Sequence, residues 1–462
     1  MKFTENDNYV LYQGKMQDVI DNELKEKSVD CIVTDPPYEL NFMNKGWDNS
    51  GVAFQKETWE KCLKVLKPGG YLLAFGGTRT YHRIACAIED AGFEIRDCIM
   101  WLYGSGFPKS MNLGLKMDKK QGCPDRGHRI AVANRCHPDG TIEPNGENLQ
   151  PYEPKTELGE KWNGWGTALK PAYEPVIVAR KPFTGSLVDN VLEYGVGGLN
   201  IEECRVGNDL IKGGSMPKMN SQSDGINIYN FGKENAERLD REDNIGRFPA
   251  NVILTYDETD QNEVCGGFPD TKSEGGNAFN KVAKNGENSM FGLKQMKDDI
   301  CFHDEGSAAR YFYCAKASKK DRDNGLDEFE EKRKAGYGYD FGYMNAGEGM
   351  FKDRETLKRN THPTVKPVDL MQYLIRLVAP QNAVILDPFM GSGSTGKAAM
   401  FENRERNKNY KFIGIEMTEE YLPICKARID YAIYKYEYEL KMEKKKDEEN
   451  GIQSIFDYIE EK

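Results

Sequence analysis

Two short apolar runs, one near each end of the chain, constrain its fold more than any other feature. Residues 31–34 form the first run and lead into an Asp-Pro-Pro-Tyr turn. Residues 383–386 form the second run and lead into an Asp-Pro-Phe turn that continues into a glycine-rich segment. A short apolar run bounded by proline or glycine is typical of a buried strand. We therefore predict two strand ends, each closing in an acidic turn, that contribute to one site.

The spacing of apolar residues around these runs predicts an α/β fold with a doubly wound parallel sheet. Strands alternate with amphipathic helices over the first hundred residues, and this alternation resumes after residue 366. Alternation at this pitch is typical of strands that run parallel and are connected by helices. The predicted strands cover residues 9–12, 29–34, 71–75, 93–103, 174–180, 384–386 and 411–415, and the predicted helices cover 16–24, 58–66, 81–91 and 367–377.

Composition limits the partners and the location of the chain. The formal net charge is −11, so any contact with nucleic acid must use local basic clusters. Residues 316–322, 332–334 and 352–359 are such clusters, but each is interleaved with acids and fits a solvated face better. The 11 cysteines form no regular framework, the N-terminus is too polar for a signal peptide, and no apolar stretch reaches the roughly 20 residues of a membrane span. We expect a cytoplasmic protein without a membrane partner.

One short segment contains residue types that bind zinc. Cys123, His128, Cys136 and His137 lie close together in sequence. Two adjacent ligands are awkward for one ion, and the spacing matches no common zinc site. We predict no metal.

The glycine-rich segment after the second run matches the fingerprint of dinucleotide-binding folds. Its glycines would let a ligand approach the backbone at the start of a helix. Asp387 adds a carboxylate that would repel a pyrophosphate but attract a sulfonium, and Glu416, at the end of the next strand, could accept both hydroxyls of a ribose. The two acids predict S-adenosylmethionine rather than a nicotinamide dinucleotide. The alternative is that Asp387 only caps a helix and that Glu416 is a surface residue.

The first acidic turn carries groups that could activate a planar amine. The exocyclic amine of adenine or cytosine is a poor nucleophile because its lone pair is delocalised into the ring. The Asp35 carboxylate and the Pro36 carbonyl could each accept one N–H of the amine, Pro37 would stiffen the turn, and Tyr38 would stack on the base. A purely structural Asp-Pro-Pro turn is the alternative.

A base inside a duplex cannot enter such a site. The target must therefore be flipped out or already single-stranded. Residues 101–108 end another predicted strand, and Trp101, Phe107 and Pro108 could form apolar walls for the base. Ordinary packing at a strand end explains each of these residues equally well.

Together these motifs resemble the adenine-N6/cytosine-N4 DNA methyltransferases, over residues 9–110, 167–206 and 307–430. The resemblance implies a class I methyltransferase sheet that binds S-adenosylmethionine. Because the acidic turn precedes the glycine-rich segment, the chain is similar to the family's β arrangement, a circular permutation of that sheet. Residues 164–171 and 194–201 resemble the phage- and prophage-borne branch. The resemblance thus implies a methylase of a restriction–modification system or an orphan phage enzyme.

The resemblance also assigns individual residues. Residues 362–367 resemble the segment that opens the helix lining the methionine end of the cofactor. The family usually has an acid on the cofactor's adenine where this chain has Lys15, so Asp18 or a backbone contact could take its place. The predicted catalytic residues are Asp35, Pro36, Pro37 and Tyr38, and the predicted cofactor-binding residues are Asp18, Thr364, Lys366, Asp387, Pro388, Phe389, Gly391, Gly393, Thr395 and Glu416.

The same resemblance predicts the organisation of the chain and its partners. Double-stranded DNA is the expected partner, with single-stranded DNA as an alternative, and relatives of this arrangement are often homodimers. We predict a split catalytic domain at 1–110, 167–200 and 307–440, an insertion at 111–166, a target-recognition region at 201–306 and a charged tail at 441–462.

The identity of the methylated base depends on the acidic turn. In the family, Asp at its first position is commoner among adenine enzymes and Ser among cytosine enzymes, so Asp35 favours adenine N6. One set of alternatives keeps the chemistry and changes the acceptor to cytosine N4, RNA or a glutamine side-chain amide. Another set changes the class, to a nicotinamide-dependent oxidoreductase or to a DNA-binding protein that has lost activity.

Overall fold

The computed structural model describes most of the chain. Its described residues are 1–40, 50–103, 110–123, 135–136, 142–143, 152–211, 215–217, 238–240, 243–257, 268–273, 304–317, 319–333 and 357–449. They form two compact units, one made of residues 1–102 and 173–462 and the other of residues 103–172. None of the described helices is long and apolar enough to cross a membrane.

The main unit is built on one ten-stranded sheet with helices between successive strands. Its strands are β1 (Lys2–Glu5), β2 (Tyr9–Gln13), β3 (Val29–Thr34), β4 (Leu66–Phe75), β5 (Glu94–Leu102), β8 (Tyr173–Arg180), β13 (Val252–Asp257), β16 (Tyr313–Ala317), β19 (Val384–Asp387) and β20 (Lys411–Glu416). Its helices are α1 (Met16–Glu23), α2 (Lys56–Val65), α3 (Tyr81–Asp90), α6 (Leu187–Tyr194), α7 (Lys319–Asp323), α8 (Val368–Val378), α9 (Ser394–Arg406) and α10 (Leu422–Glu449), the last with a non-helical residue at Tyr434.

Short antiparallel strand pairs accompany this sheet. Each is a separate two-stranded ladder in the described residues. The pairs of the main unit are β9 (Val206–Ile211) with β12 (Asn244–Arg247), β10 (Ser215–Pro217) with β11 (Arg238–Asp240), β14 (Asp270–Ser273) with β15 (Asp304–Ser307), and β17 (Lys332–Arg333) with β18 (Leu357–Lys358).

The strand order of the large sheet is β1-β2-β20-β19-β3-β4-β8-β5-β13-β16. Most neighbours are parallel, whereas β8 runs antiparallel to both β4 and β5, and β1 runs antiparallel to β2. The chain passes from β19 through α9 to β20 on one side, and from β3 through α2 to β4 on the other. The order therefore reverses between β19 and β3, which is the switch point where open α/β sheets bind ligands. The predicted doubly wound α/β fold is confirmed.

Register at the switch point brings the two acidic turns together. Ile385 is paired with Cys31 and Leu386 with Ile32, so the carboxyl ends of β19 and β3 meet at the same edge. All six residues of β3 are buried, which explains its continuous apolar run. On the cofactor side, a Cβ at Gly396 would lie 2.5 Å from the Phe412 ring, so only glycine lets α9 approach β20 this closely.

The structure changes two details of the predicted organisation. The apolar run of β13, inside the predicted target-recognition region 201–306, pairs in parallel with β5 and β16 and so belongs to the central sheet. A parallel partner buries this run better than an isolated loop would. Strand β4 begins at Leu66 rather than at residue 71, since Gly69, at φ 80°, lets the Lys-Pro-Gly-Gly segment follow the sheet through a bulge.

The second unit contains much of the predicted insertion 111–166. It comprises α4 (Leu113–Lys120), α5 (Glu157–Lys161) and the short strands β6 (Arg135–Cys136) and β7 (Ile142–Glu143). The Asp118 carboxylate organises it by accepting hydrogen bonds from the Tyr152 hydroxyl at 2.7 Å and from the Thr156 hydroxyl at 2.7 Å. These bonds fix the segment that leads into α5.

Candidate active site

Asp35 follows β3 directly and has two unlike carboxylate oxygens. Oδ2 accepts a hydrogen bond from the Lys366 ammonium at 2.6 Å. Oδ1 is buried and has no hydrogen-bond partner among the described residues. An unpaired buried acceptor costs free energy, and a ligand that donates a hydrogen bond to Oδ1 would remove that cost.

Tyr38, three residues further on, is held at its ring hydroxyl and at its backbone. The hydroxyl donates to Glu174 Oε2 at 2.7 Å and accepts from the Lys366 ammonium at 3.1 Å. The Thr80 hydroxyl donates to the Tyr38 carbonyl oxygen at 2.8 Å. These bonds fix both the direction of the ring and the path of the turn.

Asp35, Tyr38, Glu174 and Lys366 together form what we call the ionic quartet. Glu174 lies at the start of β8, and its Oε2 is 3.3 Å from Lys366 Nζ. Lys366 lies just before α8, is 7% exposed, and its ammonium is 4.9 Å from the centre of the Phe75 ring. One buried ammonium thus bridges two carboxylates that come from different strand ends.

The surroundings of the quartet shift the pKa values of Asp35, Tyr38 and Lys366. Burial raises the pKa of Asp35, the Lys366 ammonium opposes this effect, and the Glu174 carboxylate adds to it. Burial alone would lower the pKa of Lys366, but the carboxylates of Asp35 and Glu174 raise it above its ordinary value. Burial also raises the pKa of Tyr38, so its hydroxyl stays protonated.

Asp387, at the end of β19, ties three elements together. Its Oδ1 accepts from the Thr34 hydroxyl at 2.7 Å and from the Phe389 N–H at 3.1 Å, and its Oδ2 accepts from the Thr395 hydroxyl at 2.6 Å. Burial raises its pKa to about 6. The structure therefore gives Asp387 a defined role in joining β3, β19 and α9. Its predicted contact with a cofactor stays a prediction.

The glycine-rich segment wraps the carboxylate of Glu416. The Gly391 N–H donates to Glu416 Oε2 at 2.9 Å, and the Thr418 N–H donates to Oε1 at 2.7 Å. Gly391 and Gly393 have φ values of 53° and 76°, in the left-handed region that favours glycine. Gly393 is the N-cap of α9. Pro388 is buried, and the Phe389 ring that follows it packs against the Trp59 ring with centroids 6.3 Å apart. The predicted loop residues thus meet at one end of the sheet.

The segment before α8 contacts both halves of the site. The Lys366 side chain reaches Asp35, whereas its backbone carbonyl accepts from the Ser394 hydroxyl at 3.0 Å, at the start of α9. Thr364 is exposed, and its carbonyl oxygen lies 3.0 Å from His362 Nδ1. The sequence predicts that Lys366 faces the cofactor. In the structure its ammonium pairs with the catalytic turn, where two half-buried carboxylates lie within reach.

The remaining predicted residues lie in three different situations. Asp18 is exposed in the first turn of α1. Trp101 is 8% exposed in β5, and its indole N–H donates to the Thr255 hydroxyl. Trp101 also contacts the Phe75 ring edge-on, with centroids 6.3 Å apart, so it is part of the packing behind the quartet. Phe107 and Pro108 lie outside the described residues.

Sequence reasoning missed Glu174, Thr34 and Thr80. Glu174 carries a usable signal, because it is an acid directly before the apolar run of β8, at the strand's start. A strand that runs antiparallel brings its start to the edge where its neighbours end, so Glu174 reaches the catalytic turn. The two threonines carry no such signal, because strands are rich in threonine.

Buried charges around the site hold its elements together. Asp321, in α7, accepts from the fully buried Lys397 ammonium at 2.7 Å and from the Val368 N–H at 3.0 Å. The fully buried Arg428 donates to the Ser392 carbonyl at 2.7 Å in the glycine-rich segment. These bonds tie α7, α8, α9 and α10 to the cofactor side. Among the described residues, no group of three or more His, Cys, Asp or Glu could hold a metal ion.

This strand order and this pair of acidic turns define a protein of the methyltransferase class. A family model described as DNA methylase, for N6 and N4 enzymes, matches residues 29–182 and 224–427, well over half of the chain. The chain belongs to this DNA methylase family. The predicted family resemblance is confirmed.

Individual relatives match shorter stretches. The type II methyltransferase M.HindIII of Haemophilus influenzae is 25% identical over 203 residues, which cover 43% of this chain and 50% of that protein. The DNA adenine methyltransferase YhdJ of Escherichia coli is 38% identical over 85 residues, which cover 18% of this chain and 27% of that protein. The chain thus spans half or less of the length of these curated relatives.

Solved structures resemble the chain only loosely. The structure of the PvuII DNA methyltransferase, described as cytosine-N4-specific, has a TM-score of 0.37 at 12% identity and covers 91% of this chain and 86% of that one. The M1.HpyAVI–SAM complex has a TM-score of 0.33 at 14% identity and covers 91% of this chain and 99% of that one.

Proposed function

We propose that this protein transfers a methyl group from S-adenosylmethionine to the exocyclic N6 of an adenine flipped out of DNA. The observation that carries the proposal is the Asp35 carboxylate beside a buried ammonium, with one oxygen paired and the other, itself buried, without a partner among the described residues. An amine N–H donated to Oδ1 would satisfy that oxygen. Membership of the DNA methylase family supports the same reaction.

The residues of the glycine-rich segment fit S-adenosylmethionine. Gly391 and Gly393 adopt the left-handed φ of the turn after β19, and the Glu416 carboxylate accepts the backbone N–H groups of Gly391 and Thr418. A carboxylate has about four acceptor sites, so Glu416 would also accept a ribose hydroxyl. When bound, the cofactor supplies an electrophilic methyl group. Asp387 would act through Thr34 and Thr395, by holding this segment beside the catalytic turn.

The acidic turn would hold the amine as a nucleophile. Asp35 Oδ1 and the Pro36 carbonyl oxygen would accept its two N–H groups, which draws the nitrogen toward tetrahedral geometry and frees its lone pair. Pro36 and Pro37 fix the turn before the substrate arrives, so little ordering remains to be done at that moment. The Tyr38 ring, whose hydroxyl is tied to Glu174, would stack on the base. The methylated nitrogen is strongly acidic, so its proton leaves without a strong base.

Adenine is the proposed target because the acidic turn begins with Asp. The DNA methylase family also contains cytosine-N4 enzymes, so cytosine N4 is the outcome that would replace it. We further propose a cytoplasmic enzyme acting on double-stranded DNA, with sequence recognition by residues 201–306 outside β13 and with a homodimer as its assembly.

The first test identifies the product directly. The protein is expressed in a bacterial host that lacks its own DNA methylases, and the genome is sequenced by a single-molecule method. We expect N6-methyladenine within one short sequence context. Detection of N4-methylcytosine instead would show that the target is cytosine N4 and not adenine N6. An unmodified genome from cells that contain folded protein would contradict the proposed reaction.

The second test separates the two halves of the site. Asp35→Ala should abolish methylation and leave the calorimetric affinity for S-adenosylmethionine within about threefold of wild type, because Asp35 holds only the amine. Glu416→Ala should weaken that affinity by at least about tenfold, the effect of losing roughly 1.4 kcal/mol of hydrogen bonding. Normal methylation by Asp35→Ala would refute the catalytic role. Unchanged affinity in Glu416→Ala would refute the cofactor assignment.

A further inference from the structure

We infer that Lys366 and Glu174 are positioning residues that set the charge state of Asp35 in opposite directions. Lys366 keeps the Asp35 carboxylate ionised and ready to accept an amine, while Glu174 limits that effect and fixes Tyr38. This inference rests on the proposed methyl transfer and deepens it. Neither residue touches the reacting nitrogen in this scheme.

The geometry assigns these roles because the quartet contains one positive and two negative groups. Lys366 Nζ is 2.6 Å from Asp35 Oδ2 and 3.3 Å from Glu174 Oε2. The groups that face Asp35 come from several elements, namely Lys366 before α8, Glu174 in β8, Tyr38 in the turn and Asp387 at the end of β19. Lys366 is the cation among these described groups. Of them, its removal would leave only acids beside Asp35.

The charge state of Asp35 matters because only a carboxylate has two acceptor oxygens. A protonated Asp35 would offer an O–H donor to an amine that itself must donate. Burial already favours the neutral acid, and the nearby Glu174 carboxylate acts in the same direction. Lys366 opposes both effects. The rate of methyl transfer should therefore fall at low pH. The charges of the quartet determine the pH at which it falls.

Glu174 acts through two of its neighbours. It competes with Asp35 for the Lys366 ammonium, and it accepts the hydrogen bond that orients the Tyr38 hydroxyl. A neutral amide in its place keeps an acceptor for Tyr38 but removes a negative charge. The Lys366 ammonium would then pair with Asp35 alone, and Asp35 would stay ionised to lower pH.

The experiment compares pH profiles of single-turnover methylation by the full-length protein on DNA that contains its site. The acidic limb of a profile is the range in which the rate falls as the pH decreases. Lys366→Met should move this limb to higher pH by about one to three units, the usual effect of an opposite charge on a carboxyl group. Glu174→Gln should move the limb to lower pH. Lys366→Arg keeps the charge and should return the limb close to its wild-type position. The calorimetric affinity for S-adenosylmethionine should change less than about threefold in all three variants.

Two control variants carry the same substitutions beside the end of β8 that lies away from the quartet, at Glu94 in β5 and at Lys181 after β8. Glu94→Gln removes a carboxylate that pairs with Arg180 at 2.6 Å, and Lys181→Met removes an ammonium that donates to the Leu63 carbonyl at 2.6 Å. Neither should move the limb. Thermal unfolding of each variant shows whether it folds, and if Lys366→Met does not fold, Glu174→Gln and Lys366→Arg still test the inference.

The possible results separate the inference from the proposed function. Opposite shifts in Lys366→Met and Glu174→Gln support the positioning roles. If the wild type is active but the acidic limb of Glu174→Gln lies at the wild-type pH, the positioning roles are overturned. They are also overturned if the limb moves in the same direction in Lys366→Met and in Glu174→Gln. A wild type that binds S-adenosylmethionine but methylates no DNA at any pH overturns the proposed function, and the inference falls with it.

Discussion

His362 is a buried histidine beside the cofactor side of the site. Its Nδ1 lies 3.0 Å from the Thr364 carbonyl oxygen, so Nδ1 carries the proton and donates it. Its ring is 4.6 Å from the centre of the Tyr421 ring, and its Nε2 lies 3.0 Å from the position that a Cβ on Gly391 would occupy. The glycine at 391 therefore leaves room for this imidazole as well as adopting a left-handed φ.

Burial lowers the pKa of His362 to about 3, with the nearby cations Arg428, Arg322 and Lys366 acting in the same direction. The folded chain therefore resists protonation that the unfolded chain accepts below its ordinary pKa of 6.5. Stability from this residue is complete above pH 6.5 and is lost as the pH falls toward 3. At pH 5 the loss should be about 2 kcal/mol.

Denaturant unfolding of the wild type and of His362→Gln at pH 7 and pH 5 measures this loss. The wild type should lose about 2 kcal/mol more than the variant between the two pH values. The comparison is needed because Asp387, whose pKa is raised to about 6, stabilises the fold on acidification and opposes the histidine. Equal pH dependence in both proteins would contradict the prediction.

At the scale of elements, a buried ion pair joins α8 to α9. The Arg376 guanidinium donates to Glu402 at 2.6 Å, and the Gln372 amide donates to the same carboxylate at 3.2 Å. Glu402 is fully buried, and Arg376 is 6% exposed. The hydrophobic spacing of α8 is therefore only part of its packing, because its polar residues Gln372 and Arg376 are buried against the neighbouring helix.

Removing one partner of this pair should cost more than removing both. Arg376→Met leaves Glu402 buried with a weaker set of donors, and we expect a loss of about 3–5 kcal/mol in the free energy of unfolding. The double variant Arg376→Met with Glu402→Leu buries no charge, so it should be more stable than the single variant. Denaturant unfolding of all three proteins measures the difference. A double variant less stable than Arg376→Met would contradict this account of the α8–α9 contact.

At the scale of the whole molecule, strands distant in sequence become neighbours. Strand β3 lies in the first tenth of the chain and β19 in its last fifth, yet they pair in parallel. The chain order of the acidic and glycine-rich turns agrees with a permuted sheet, in which β2 and β20 lie on one side of β19 and β3 lies on the other. Any order of connections that preserves these pairings would place the two turns together.

The predicted strand ends agree closely with the structure because their signals are local. An apolar run with a proline or glycine boundary specifies a buried strand and its end without reference to the rest of the chain. Asp35, Tyr38, Gly391, Gly393 and Glu416 were therefore placed by their own neighbours in sequence. Family membership then fixed the class of protein.

The partners of these residues were decided only by the tertiary structure. Lys366 pairs with Asp35, and Glu174 joins them from a strand that runs the opposite way. Buried charges choose partners by distance and desolvation, and both depend on how separate segments pack. The sequence alone thus determined where the strands end and which groups stand there. Packing decided which charges meet, because three segments far apart in the chain must converge before an ammonium can lie between two carboxylates.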